Sequence, residues 1–202
     1  EGVEPAPPAG NPARAAERRR QRLLCVGSLT PRKGQDVLID ALAALRDEDW
    51  LLELVGDPTR DPEFADGLEQ RIALVELTDR VRLRGACSTE ELDRIYRNAD
   101  LVVVPSHYEG YGMVVTEALA RGLPLIATTG GALVDTLPEQ GAWRVPPGNT
   151  TALAAALRRW FDEPDQRLKL ASGALSARGR LSGWREAGRR FAAELTGAPG
   201  SS

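Results

Sequence analysis

Glu109 and Glu117 flank a glycine-rich turn, Gly110-Tyr111-Gly112, that opens a helix directly after the apolar run Leu101–Val104. A turn at the carboxyl end of a parallel strand, with a helix amino terminus beyond it, is where α/β proteins bind phosphorylated ligands. Gly110 and Gly112 let the backbone approach a ligand with no Cβ in the way. Backbone amides of Gly112, Met113 and Val114 then face phosphate oxygens. Glu117 lies five residues further along, about 7.5 Å at the helical rise. Helical side chains lean toward the amino terminus, which brings this carboxylate to the distance of ribose hydroxyls on the same diphosphate. Glu109 sits on the other side, near whatever the diphosphate carries. The alternative reading of the same residues is an acidic surface loop beside a helix glutamate.

A second loop, Gly27-Ser28-Leu29-Thr30-Pro31-Arg32-Lys33-Gly34, joins the first strand to the first helix. It is not a P-loop, because Arg32 stands where glycine must precede lysine, and it lacks dinucleotide glycine spacing. Lys33 at a helix amino terminus still sets a positive charge beside unpaired N–H groups, a fit for a diphosphate. A solvated Arg-Lys pair on a surface turn is the alternative. A third loop, Thr128-Thr129-Gly130-Gly131, follows a later strand. Three glycine-containing loops on one sheet edge argue for a ligand more strongly than any one of them. The single histidine, His107, invites a general-base role; a loop histidine flanking the cleft is the simpler reading.

The elements that position these loops alternate along the chain. Strands are expected at Arg22–Gly27, Trp50–Val55, Val81–Leu83, Leu101–Val104, Leu125–Ala127 and Ala142–Val145. Helices are expected at Gln35–Leu45, Phe64–Val75, after the capping box Ser88-Thr89-Glu90-Glu91, at Met113–Arg121 and after Asn149. Two more follow, one after Pro164 and one over Ser182–Leu195. Leu101–Val104 has no polar alternation, as in a strand covered on both faces. Repeated βα units predict an α/β, Rossmann-like, doubly wound parallel sheet with right-handed crossovers.

The 202 residues, 42% hydrophobic and 27% charged, suffice for one substantial core. A net charge of -3 and a pI near 5.4 argue against nucleic-acid partners. There is no apolar run of membrane-spanning length, so the segment itself is expected to be soluble. Cys25 and Cys87 show no metal spacing and read as reduced thiols of a cytoplasmic protein. Glu1 to Pro12 is rich in proline, alanine and glycine and reads as linker, so the chain is expected to be a fragment. Arg18-Arg19-Arg20 reads as a solvated linker face, with anionic lipid as the alternative if a parent protein acts at a membrane.

With these residues in this order, the chain resembles the retaining glycosyltransferases with two Rossmann-like domains (the GT-B fold), specifically glycosyltransferase family 4. The resemblance runs from Arg22 to about Leu195. It is carried by the Gly27–Gly34 loop ending in Lys-Gly, Asn98-Ala99-Asp100 through Pro105-Ser106, and Glu109 and Glu117 in an E-x7-E pattern. Ala118-Leu119-Ala120, Gly122-Leu123-Pro124, and Ala127-Thr128 with the glycine pair complete it. It implies the carboxy-terminal, nucleotide-sugar-binding half of such an enzyme, spanning residues 22–195, with 1–21 a linker remnant and 196–202 a disordered tail. An amino-terminal half would supply most of the acceptor site, and the helix around Trp184, Phe191 and Leu195 would pack back toward it. Any membrane contact would come through the parent protein.

The resemblance further implies that Lys33 contacts the donor diphosphate and that Gly112, Met113 and Val114 give backbone contacts. Glu109 would contact the transferred sugar and Glu117 the ribose, with Gly27 and Gly110 lining the site. Residues near Arg84 to Cys87 would lie against the base. Many relatives have arginine after the loop's first glycine; this chain has Ser28, and Arg32 is the candidate substitute. Asp135 stands where relatives often have glutamate. Lys33 and Glu109 are the expected catalytic pair, the second positioning the sugar or its developing positive charge. The sequence shows no metal cluster, so the chemistry is expected to need neither metal nor cofactor. A nucleotide-sugar-binding module without turnover, and half of a two-domain epimerase, remain the alternatives.

Overall fold

Hydrophobic strands of four to six residues form the centre, apart from one shorter edge strand. In the computed structural model the backbone is described for residues 20–195 and the side chains for 20–179. Most of the expected linker remnant 1–21 (residues 1–19), the side chains around Trp184 and Phe191, and the expected disordered tail 196–202 lie outside the described residues. β1 (Gln21–Val26), β2 (Trp50–Val55), β3 (Val81–Leu83), β4 (Leu101–Val104), β5 (Leu125–Thr128) and β6 (Ala142–Val145) pair in the order β3-β2-β1-β4-β5-β6. Every pairing is parallel. The helices are α1 (Gln35–Ala43), α2 (Pro62–Leu74), α3 (Thr89–Asn98), α4 (Met113–Ala120), α5 (Leu133–Thr136), α6 (Thr150–Asp162) and α7 (Pro164–Leu195). This is the expected Rossmann-like, doubly wound sheet.

Side chains of successive strand residues point to opposite faces, and the core divides accordingly. Leu23 and Cys25 of β1 join a cluster with Leu38, Leu42, Leu68, Leu157 and Trp160, from α1, α2 and α6. Leu24 joins the other, with Tyr96, Val115, Leu119 and Ala174, from α3, α4 and α7. β4 is buried at all four positions, as its unbroken apolar sequence requires.

Three departures from expectation have physical reasons. α2 begins two residues early because Asp61 caps it, accepting from the Phe64 amide at 3.0 Å, with Pro62 at the first turn. The short α5 was not foreseen; four residues carry too little periodicity to register. The two helical stretches expected after Pro164 are one helix, α7, anchored by buried Leu170, Ala171, Ala174 and Ala177. Around Gly173 that packing outweighs the low helix propensity of glycine.

The strand order fixes where a site can form. Chain order reverses between β1 and β4, which are neighbours with Leu23 opposite Leu101. The helices that follow them, α1 and α4, pack on opposite faces, opening a crevice at the switch point.

Candidate functional site

The β1–α1 and β4–α4 loops meet at that crevice and are fastened together. Gly34, at φ 65°, ends the turn Pro31–Lys33, and a Cβ there would lie 2.3 Å from the Pro105 carbonyl oxygen. Only glycine permits that approach. The His107 amide donates to the Arg32 carbonyl at 2.9 Å. In return Arg32 Nη1 donates to the Tyr108 carbonyl at 2.8 Å. Arg32 thus holds the two loops together rather than standing free as a surface cation.

Between these loops lies an ion pair. Lys33 Nζ donates to Glu109 Oε1 at 2.5 Å, with both side chains nearly withdrawn from solvent, 13% and 10% exposed. The Lys33 stem passes over Gly27, where a Cβ would stand 3.3 Å from its Cδ and Cε. Ser106 Oγ donates to the same Glu109 oxygen at 2.7 Å, and the Ser106 carbonyl accepts from Thr128 Oγ1 at 2.5 Å. The third loop closes over this segment: the Glu109 amide donates to the Gly130 carbonyl and the Ala132 amide to the Glu109 carbonyl. Buried Gln35 supports the first loop from below, its Nε2 donating to the Ser28 carbonyl at 3.0 Å. Glu109 is therefore buried and held at three points, not part of an acidic surface loop.

The helix ends around the crevice differ from those of α2, α3 and α6. α2, α3 and α6 are capped by the side chains of Asp61, Ser88 and Asn149. α1 and α4 begin at the left-handed glycines Gly34 and Gly112, and no side chain caps either. Glycine takes that conformation without the strain a Cβ imposes. The first amides of α4, those of Met113 and Val114, thus have no intrahelical acceptor and no capping oxygen. Gly110 is exposed at the turn, as are the side chains of Tyr111 and Met113.

Glu117 is half-buried one turn into α4. Tyr96 Oη, from α3, donates to its Oε2 at 2.9 Å. The Arg121 guanidinium lies 4.5 Å over the Tyr96 ring and donates to the Glu117 carbonyl. Burial above all, then the Glu117 charge, pushes the Tyr96 hydroxyl far above its ordinary pKa, so it stays a donor.

Arg84 and Cys87 are apart from this group. They follow β3, two strands from β1, or about 10 Å at ordinary strand spacing. The Arg84 guanidinium is taken up by Glu53, at 2.5 and 3.2 Å to its two oxygens. Cys25, at the end of β1, is buried, and that burial pushes its thiol up to about 12, with Lys33 lowering and Glu109 raising it. His107 is exposed, with its ring beside Gly148.

Sequence reasoning brought Lys33, Gly112 and Glu117 to one edge but missed Ser106, Thr128, Gln35 and Tyr96 as supports. Ser106 had a signal, a hydroxyl three residues before a turn carboxylate. Tyr96 had none beyond its apolar helix face.

A family model described as glycosyl transferases group 1 matches residues 12–176. A D-inositol 3-phosphate glycosyltransferase of Kineococcus radiotolerans is 34% identical over 200 residues, covering 88% of this chain and 46% of that protein. The sucrose-phosphate synthase structure from Thermosynechococcus elongatus aligns at TM-score 0.75 and 31% identity, over 95% of this chain and 50% of that one. Anabaena HepE in complex with UDP aligns at TM-score 0.70 and 25% identity, over 83% of this chain and 49% of that one. The chain thus spans about half the length of the curated relatives it matches. No described helix is long and apolar enough to cross a membrane.

Proposed function

The chain belongs to the glycosyl transferases group 1 family, and on that premise we propose that it is the donor-binding half of a retaining, family 4 type glycosyltransferase. Its sheet is one Rossmann-like half of a GT-B fold. The reading takes as donor a nucleoside-diphosphate sugar, and UDP in the Anabaena HepE complex supports that class. The remaining length of a parent protein would carry the acceptor site.

One observation carries the proposal: Lys33 and Glu109 are paired across the switch point, next to the uncapped amino terminus of α4. Cleaving the bond between sugar and diphosphate builds negative charge on the leaving phosphate and positive charge on the sugar ring. Lys33 and the Met113 and Val114 amides answer the first, as preorganised donors do. Glu109 faces the second. Its Oε1 is held by Lys33 and Ser106, which leaves Oε2 for a sugar hydroxyl or the electron-poor ring. Glu117 receives the ribose hydroxyls. Gly27, Ser28 and Gly110 line the approach. Because Arg84 is engaged by Glu53, base contact falls to the backbone around Gly85 to Cys87. In this reading Lys33 and the backbone amides meet the diphosphate charge without a metal ion.

Calorimetry of the 202-residue chain with UDP, ADP and GDP and their sugars tests this. One nucleoside diphosphate should bind, and about tenfold more weakly after Lys33→Ala or Glu117→Ala. EDTA should leave that binding unchanged. Binding of none of them would refute the donor-site reading. The chain alone should transfer no sugar.

A further inference from the structure

The geometry points to Tyr96 as a positioning residue that, by holding the Glu117 carboxylate from α3, gives the site its preference for ribose over deoxyribose. The inference rests on the donor-site reading above and adds a residue and a selectivity to it.

The terminal torsion of a glutamate is broad, so a lone carboxylate on a helix surface samples many orientations. Glu117 is not free in this way. Its Oε2 accepts from Tyr96 Oη at 2.9 Å, and among the described residues nothing hydrogen-bonds its Oε1. One oxygen is gripped by protein and the other is presented outward. Tyr96 is fully buried between β1, β4 and α4, packed in the cluster with Leu24, Val102 and Val115. A buried phenol seeks a partner for its hydroxyl, and Glu117 is the acceptor the structure provides. Arg121 completes the clamp by stacking on the ring, donating to the Glu117 carbonyl at 3.0 Å and to Asp93 Oδ1 of α3 at 3.2 Å. α3 and α4 are thereby locked at the point where Glu117 emerges.

A carboxylate fixed in this manner discriminates by hydroxyl. A ribose offers two adjacent donors, one for each lone pair of the presented oxygen, whereas a 2′-deoxyribose offers one and leaves the second lone pair unused. Were the carboxylate free to turn, it would re-aim at whichever hydroxyl remained and the discrimination would shrink.

The test is calorimetry of the 202-residue chain with UDP, ADP and GDP and with their 2′-deoxy counterparts, for wild type and Tyr96→Phe. Phenylalanine keeps the ring under Arg121, and a thermal melt confirms the fold. Wild type should favour the tighter-binding ribonucleotide about tenfold over its deoxy form. In Tyr96→Phe the ribonucleotide should weaken about three- to tenfold, with the deoxy form changed less than about twofold, so that the ratio falls toward one. In a Glu117→Ala background, Tyr96→Phe should change nothing further, which is the coupling a double-mutant cycle isolates. An equal loss for both sugars, or an unchanged ratio, overturns the inference while leaving the donor site standing. Failure of wild type to bind any of the nucleotides overturns the proposed function and this inference with it.

Discussion

Lys33 and Glu109 are 76 residues apart in sequence, yet Nζ and Oε1 are 2.5 Å apart in the crevice between β1 and β4. The lysine that would meet a diphosphate and the carboxylate that would face a sugar neutralise one another in this structure. A ligand therefore competes with a protein group for each of them. That competition makes the effect of either substitution depend on what is bound.

Lys33→Ala in the nucleotide-free chain leaves Glu109 buried with Ser106 as its remaining side-chain donor. Breaking one side of a buried pair costs about 3 kcal/mol, a melting-point loss of about 6–12 °C for a chain of this size. Differential scanning calorimetry reads it directly. A change of under about 1 °C would show that the pair is too wet to matter.

Glu109→Gln should separate the two halves of the donor. Freed from its counter-ion, Lys33 should bind a nucleoside diphosphate about two- to fivefold more tightly. The extra affinity that the attached sugar brings should fall. Calorimetry with UDP and UDP-glucose gives both quantities, and a parallel loss for the two ligands would contradict the assignment.

Gly34→Ala attacks the joint between the loops. The left-handed backbone costs a non-glycine residue about 1–2 kcal/mol, and its Cβ would collide with the Pro105 carbonyl. Urea unfolding should show at least about 2 kcal/mol of destabilisation. Gly110→Ala, where a Cβ meets nothing within 4 Å, is the matched control and should be nearly neutral.

Cys25 gives a pH prediction with a definite sign. Its thiol is raised from the ordinary 9.0 to about 12 by burial. Below pH 9 it is protonated in folded and unfolded chains alike, and its contribution to stability is fully present. Between pH 9 and 12 the unfolded chain has released a proton that the folded chain retains, so stability declines as pH rises. Cys25→Ala should flatten that decline in denaturant melts. At pH 8 a thiol reagent should label partly exposed Cys87 in preference to Cys25.

The fold was legible because its signals are local. The all-apolar β4 and the cap at Ser88 each sit within a dozen residues, and the βα alternation is a succession of such short signals. Bringing Lys33 and Gly112 to one edge followed from the rule that parallel strands share a carboxyl end. The Lys33–Glu109 pair, the Thr128-to-Ser106 bond and the grip of Tyr96 on Glu117 were not legible. Each depends on which strands are neighbours, and strand order leaves no trace in periodicity. Arg84 shows the converse: its place after a strand was foreseen, but Glu53 on the adjoining strand claims it.

The β1–β4 pairing that opens the crevice also sets a condition on assembly. β4 lies far along the chain from β1, so the site's parts meet only after a long loop closes and the central pair zips. A chain with one half of the sheet formed holds Lys33 or Glu109, never both in place. Ligand binding is thus a late event in folding and adds stability to the finished sheet alone. A nucleotide in the refolding buffer should slow unfolding and leave the folding rate nearly untouched.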